Sequence, residues 1–164
     1  MIVQQYVGNF MMTLDLADNG ISHVLYRQGG REAAFMGLLR ETVEEGMVCL
    51  DLGANIGYTT LYMLNNVGPD GFVYAIEPGK HNLELLQQNV EQNGYEDRCE
   101  ITEGAISSTD GQLDIVADTE LAITAPTVDI DASTEVNIST DLKVGEIFFI
   151  HFLMLLSHSS SCPP

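Results

Sequence analysis

The chain has 164 residues, 45% of them hydrophobic and 18% charged, which suits one globular domain with a real core and excludes a disordered chain. Its 24 acidic and 6 basic side chains give a net charge of −18; such a surface repels a phosphate backbone instead of releasing its counterions, so no nucleic-acid partner is expected. Cys49, Cys99 and Cys162 are scattered without the spacing of a zinc site or a disulfide framework, and read as reduced thiols of a cytoplasmic protein that holds no metal.

The start, Met1-Ile-Val-Gln-Gln5, has no basic region ahead of an apolar run, so no secretory leader is expected. From Tyr6 to Tyr26 short apolar runs are broken by Asp18-Asn19-Gly20, a tripeptide suited to the positive φ of a hairpin turn, which predicts a small antiparallel lead-in. Between Arg31 and Glu45, Ala34, Phe35, Leu38, Leu39 and Val43 recur at helical spacing, with Gly46 as the stop. Met47 to Leu52 is a short apolar run with one acid near its end, followed at once by glycine, as in a buried parallel strand entering a tight turn. Tyr58 to Asn66 then has helical character, and the turn Gly68-Pro69-Asp70-Gly71 leads into a second buried strand, Phe72 to Ile76. Leu83, Leu85, Leu86 and Val90 predict a further helix closing at Asn93-Gly94, and Cys99 to Thr102 a third strand.

Gln112 to Asn137 alternates branched and polar residues as antiparallel strands do, and from Asp110 to Glu146 nine carboxylates face only Lys143. The final run, Ile147 to Leu156, is nearly all apolar but interrupted by His151 and about half the length that spans a bilayer, so no membrane association is expected. By character the chain divides into a hairpin-and-helix lead-in (1–46), a βαβ core (47–110), acidic antiparallel strands (111–142) and a divergent apolar tail (143–164).

The chemistry centres on Asp51-Leu-Gly-Ala-Asn-Ile-Gly57. A glycine turn at the C-terminal end of a parallel strand lets a ligand lie against bare backbone, and the amides opening the next helix can hold a carboxylate. Gly53 and Gly57 fit the turn, and Asp51 would face an ammonium beside that carboxylate. Glu77, 26 positions after Asp51, ends the second strand, where an acid can accept hydrogen bonds from both hydroxyls of a ribose. Dinucleotide sites use such an acid too, but their G-x-G-x-x-G turn lets a pyrophosphate approach the helix, whereas Asn55 and Ile56 are bulky here. An NAD-dependent oxidoreductase is therefore the weaker reading.

Val48 to Thr60, Gly71 to Pro78 and Asn89-Val-Glu-Gln-Asn-Gly94, in that order, resemble the FkbM-type methyltransferases, as do Gly20-Ile-Ser-His23 and Gly30-Arg-Glu32. The resemblance covers about residues 6 to 140. It implies an α/β, class I methyltransferase Rossmann-like fold that uses S-adenosylmethionine to methylate a hydroxyl of a small molecule or glycan. It further implies that Gly53 and Gly57 carry the methionine end and that Ala54, Asn55 and Tyr58 contact the cofactor. Glu77, with Pro78 beside it, would hold the ribose, and Glu103, Gly104 and Ala105 would flank the adenine.

Family members continue with a fourth parallel strand bearing a Lys-x-Asp-x-Glu-Gly-type segment. Here Thr140 to Glu146 leads instead into the apolar run, which reads as a truncated or altered end and an incomplete C-terminal half. The catalytic residues stay unassigned, because holding the acceptor and removing its proton belong to that half. His23 in the lead-in strand and His81 at a surface helix are not placed as bases, and Glu32 reads equally as a solvated acid. The alternative is a non-catalytic cofactor-binding fragment whose missing sheet edge a second copy would supply as a homodimer.

Overall fold

The computed structural model describes residues 1–17, 20–107, 112–116, 122–129 and 147–150. Strands β1 (Ile2–Val7) and β2 (Phe10–Asp15) pair antiparallel, Ile2 opposite Asp15 and Val7 opposite Phe10. Their turn holds Gly8 at φ 59°, where an added Cβ would lie 2.8 Å from the Tyr62 hydroxyl, so glycine serves both the left-handed conformation and the close approach.

The chain thus reverses between Val7 and Phe10 instead of at residues 18–20, of which Asp18 and Asn19 lie outside the described residues. The stretch read from the sequence as a second strand is helix α1 (Ile21–Gln28), closed by Gly29 in the left-handed conformation. Packing decides this: Ser22 and Leu25, three apart and so on one helical face, are both buried, and the Ser22 hydroxyl accepts from the Asp15 amide of the hairpin. Helix α2 (Ala33–Thr42) follows, burying Met36 and Leu39.

The centre is a parallel sheet built from β3 (Val48–Leu52), helix α3 (Tyr58–Asn66), β4 (Phe72–Glu77), helix α4 (Lys80–Gln92) and β5 (Cys99–Glu103). β3 pairs with β4 from Val48–Phe72 to Leu52–Ile76, and β4 with β5 from Val73–Cys99 to Glu77–Glu103. Cys49, Leu50, Val73 and Ala75 on these strands are buried with Leu61, Met63, Leu64, Leu86 and Val90 from the helices, the arrangement that apolar strands connected through amphipathic helices require. The α/β class expected from the sequence, a parallel βαβ core with an antiparallel lead-in, is the one observed.

Three further strands follow before the last: β6 (Ala105–Ser107), β7 (Gln112–Val116) and β8 (Ala122–Asp129), with β8 parallel to β6 and antiparallel to β7. The apolar tail holds a difference from expectation. Its first residues form β9 (Ile147–Ile150), parallel to β3 from Val48–Ile147 to Asp51–Ile150, so the sheet order is β5-β4-β3-β9. A fourth parallel strand is therefore present without the expected Lys-x-Asp-x-Glu-Gly-type signature, because sheet pairing is made by backbone groups that any apolar run supplies. Residues 117–121, 130–146 and 151–164 lie outside the described residues. Among those described, no helix is long and apolar enough to cross a membrane.

Helix α4 fastens the hairpin to the core through side-chain amides. Asn89, fully buried, accepts from the Thr13 amide at 2.7 Å and donates to the carbonyls of Thr13 (3.3 Å) and Ile56 (2.8 Å). One turn on, Asn93 accepts from the Met11 amide and donates to the Met11 carbonyl at 2.8 Å. These two asparagines satisfy the edge of β2 that faces away from β1, as a third strand would.

Candidate functional site

The segment between β3 and α3 is held through its backbone amides. Gly53 and Ala54 donate to the Ile76 carbonyl at 2.9 and 3.0 Å, Ile56 donates to the Asn55 side chain at 2.8 Å, and Gly57 donates to the Ala54 carbonyl at 2.9 Å. Gly53 and Gly57 sit at φ 81° and 89°, and Asn55 also takes the left-handed conformation at φ 52°, which its short amide tolerates better than a branched side chain would. A side chain built on Gly53 would meet nothing within 4 Å, so bare backbone faces open space there. At Gly57 the same atom would strike Leu86 Cδ1 at 2.7 Å; this glycine serves the packing of the turn on α4.

Glu77 completes the turn from the neighbouring strand. Its Oε2 accepts from the Asn55 amide at 2.8 Å, while Oε1 accepts from the Gly79 amide at 2.9 Å and the Asn82 side chain at 3.2 Å. A carboxylate offers about four acceptor positions, so one on Oε2 stays available to a ligand. Beside it lies an open cleft of about 180 Å³, lined by Leu52, Gly53, Ala54, Asn55, Tyr58 and Thr59 on one side. Glu77, Pro78, Asn82, Ile21, Arg31 and Glu32 complete the wall.

Asp51 sits beneath this floor and does not line the cleft. It is 2% exposed and accepts a 2.6 Å hydrogen bond from the Thr60 hydroxyl. Burial pushes its carboxyl up to about 6, against the Thr60 bond, with the charge of Glu77 adding to the rise. Tyr58 also lines the cleft. Its hydroxyl is bracketed by the Arg31 amide (3.2 Å) and carbonyl (3.4 Å), and its ring meets Tyr62 edge-on. Burial raises the Tyr58 phenol above its ordinary value.

Of the residues expected to contact the cofactor, Gly53, Ala54, Asn55, Tyr58, Glu77 and Pro78 share the cleft, and Gly57 lies behind it. Glu103, Gly104 and Ala105 are not in its wall; Glu103 ends β5 opposite Glu77, Ala105 opens β6, and between them the Gly104 amide donates to the Glu77 carbonyl at 3.2 Å. The sequence reading did not bring Ile21, Arg31, Leu52, Thr59 or Asn82 to the site, and it kept Glu32 off it. Asn82 carried a signal, being five residues beyond Glu77 in the first turn of a helix. Arg31 and Glu32 had the Gly30-Arg-Glu32 resemblance as a signal but no assigned role, and the bonds between Tyr58 and the Arg31 backbone bring them there. The two histidines among the described residues are engaged elsewhere: His23 Nε2 lies 2.8 Å from the Leu16 carbonyl and His81 Nε2 lies 3.0 Å from Asp15.

Comparison with known proteins bears on this geometry. A family model described as protein-L-isoaspartate(D-aspartate) O-methyltransferase matches residues 23–118. A tRNA wybutosine-synthesizing protein 2 homolog of Macaca fascicularis is 37% identical over 102 residues, 55% of this chain and 22% of that protein. A protein-L-isoaspartate O-methyltransferase of Methanothrix thermoacetophila is 36% identical over 53 residues, 32% of this chain and 25% of that protein. Among solved structures, TYW2 of P. horikoshii in complex with MeSAdo has a TM-score of 0.49 at 20% identity, covering 62% of this chain and 35% of that one. The chain thus spans about a quarter or less of the length of these curated relatives.

Two expectations change. The FkbM-type family is not the one found; the strand, glycine turn and strand-end acid that carried that resemblance serve cofactor binding in general and do not separate methyltransferase families. The exclusion of nucleic acid, with a small-molecule or glycan acceptor in its place, is overturned by a relative named for tRNA wybutosine synthesis that shares this segment. A summed charge over one segment says nothing of where a longer protein makes its phosphate contacts. The match over residues 23–118, on a glycine turn and strand-end acid that share one cleft, means that the chain belongs to the protein-L-isoaspartate(D-aspartate) O-methyltransferase family, class I methyltransferases that use S-adenosylmethionine.

Proposed function

We propose that this chain is the cofactor-binding part of an S-adenosylmethionine-dependent methyltransferase that methylates a macromolecule, in the first place a side-chain carboxylate of the isoaspartyl kind. The observation that carries the reading is the convergence of the Gly53–Asn55 turn and the Glu77 carboxylate on one open cleft. When bound, the cofactor supplies a methyl group on an electrophilic sulfonium. Glu77 accepts a ribose hydroxyl on Oε2, and Asn82, already on Oε1, stands beside it for the second hydroxyl. Gly53 and Ala54 give the adenosyl group bare backbone to lie against. Pro78 and Glu103 to Ala105, around the tip of β4, are the residues nearest the expected place of the adenine.

The carboxylate reading has chemical support beyond the family match. A carboxylate acceptor is ionised at neutral pH and needs no base to remove a proton, and His23 and His81 are both held away from the cleft. A second reading, a tRNA nucleotide as acceptor, is favoured by the wybutosine-synthesis relatives. Calorimetric titration with S-adenosylhomocysteine and with NAD tests the cofactor: binding of the first alone is expected, and binding of NAD alone would sink the reading. For the acceptor, labelled methyl transfer to an isoaspartyl peptide and to bulk tRNA is compared; label in tRNA alone overturns the carboxylate.

A further inference from the structure

We infer that Arg31 and Glu32 form an exchangeable ion pair that recognises the zwitterionic amino-acid end of the cofactor, a role the glycine motif leaves unfilled. The inference rests on the cleft being an S-adenosylmethionine site. Sequence reasoning gave the ammonium to Asp51, but Asp51 is buried, bonded to Thr60 and absent from the cleft wall. The amides of residues 53–57 are likewise spent on Ile76, Glu77, Asn55 and Ala54. Neither group is free to take an ammonium or a carboxylate at that turn.

Arg31 and Glu32 do line the cleft, with the Arg31 backbone against the Tyr58 hydroxyl. Their side chains pair with each other and are each about one-third exposed. A guanidinium and a carboxylate side by side are the complement of an α-amino acid, which presents a carboxylate to the first and an ammonium to the second. Adjacent, partly solvated charges hold each other weakly, so exchanging partners costs little. The charges agree as well: among the described residues of the wall, Arg31 is positive and Glu32 and Glu77 are negative, and a ligand with a sulfonium, an ammonium and a carboxylate brings the opposite net sign. Glu32 is fixed in this position as the left-handed residue (φ 51°) that opens α2, while the Tyr58 hydroxyl fixes Arg31 through both its backbone groups.

The test compares S-adenosylhomocysteine with 5′-methylthioadenosine, which keeps the adenosyl thioether and lacks the amino acid, by calorimetric titration of the wild-type chain, Arg31→Gln, Glu32→Gln and the double variant. The wild type is expected to prefer S-adenosylhomocysteine by about tenfold or more, as charge-assisted bonds to the tail would give. The double variant should abolish most of that preference while binding methylthioadenosine as before, which also reports that it is folded. Equal wild-type affinity for the two ligands, or a preference that survives the double variant, overturns the ion-pair role and leaves the cofactor reading intact. Parallel loss of both ligands in the variants assigns the pair to structure and overturns it too. Failure of the wild type to bind either ligand removes the cofactor reading, and this inference with it.

Discussion

Glu77 and Asp51 are both buried carboxylates, yet they act differently because of what surrounds them. Glu77 accepts three hydrogen bonds, two of them from the backbone amides of Asn55 and Gly79. Glu77→Ala should therefore destabilise the chain by about 3 kcal/mol even without ligand, since buried donors lose their acceptor; a urea midpoint equal to that of the wild type would show that the carboxylate does not hold the turn. Asp51 is raised from its ordinary 3.8 to about 6, chiefly by burial. The folded chain therefore keeps a proton that the unfolded chain has released between those values, and stability falls as pH rises through that window, by about 3 kcal/mol in full. Asp51→Asn should flatten this part of the stability profile between pH 4 and 7, and an unchanged difference between the two pH values would remove the effect from Asp51. Burial, which decides both cases, is not written in a residue's identity.

At the level of elements, α4 links the hairpin, the glycine turn and the sheet. Asn89 alone reaches β2 and the Ile56 carbonyl of the turn, so Asn89→Ala should cost about 2–4 kcal/mol and loosen both. Hydrogen exchange at the Thr13 amide reads this directly; protection as in the wild type would mean the hairpin is held by other contacts. At the other face of the turn, Gly57→Ala places a methyl group against Leu86 in a backbone conformation that alanine disfavours. A loss of about 1–3 kcal/mol is expected from strain and crowding together, measured by thermal unfolding. The βαβ order was readable because its strands are continuous apolar runs and its helices carry apolar residues at turn spacing. The lead-in was not: Ile21 to Gln28 is short enough to suit either period, and only its burial against the hairpin selects the helix.

For the whole molecule, binding and stability are linked. A ligand that binds only the folded chain adds about 2.7 kcal/mol at a hundred times its dissociation constant, so saturating S-adenosylhomocysteine should raise the unfolding temperature by several degrees; NAD should not. No shift with either ligand would contradict the assignment of the cleft. The net charge of −18 bears on solubility and on the salt dependence of an encounter with a charged acceptor, not on the fold. It misled as a guide to partners because a longer relative named for tRNA wybutosine synthesis shares this segment, and the charge of one segment does not fix what a longer protein contacts.

By itself the sequence determined the parallel α/β class, the glycine turn after Leu52 and the acid that ends the next strand, since backbone conformation and apolar periodicity are local properties. The tertiary structure alone decided which of the motif's residues face the cleft and which lie beneath it. It sent Asp51 inward to Thr60, turned Glu77 toward Asn55, recruited Ile147–Ile150 as a fourth strand and brought Arg31 and Glu32 to Tyr58. The physical reason is that exposure, pairing and charge environment arise from contacts between segments far apart in the chain, and a linear pattern contains no record of those distances.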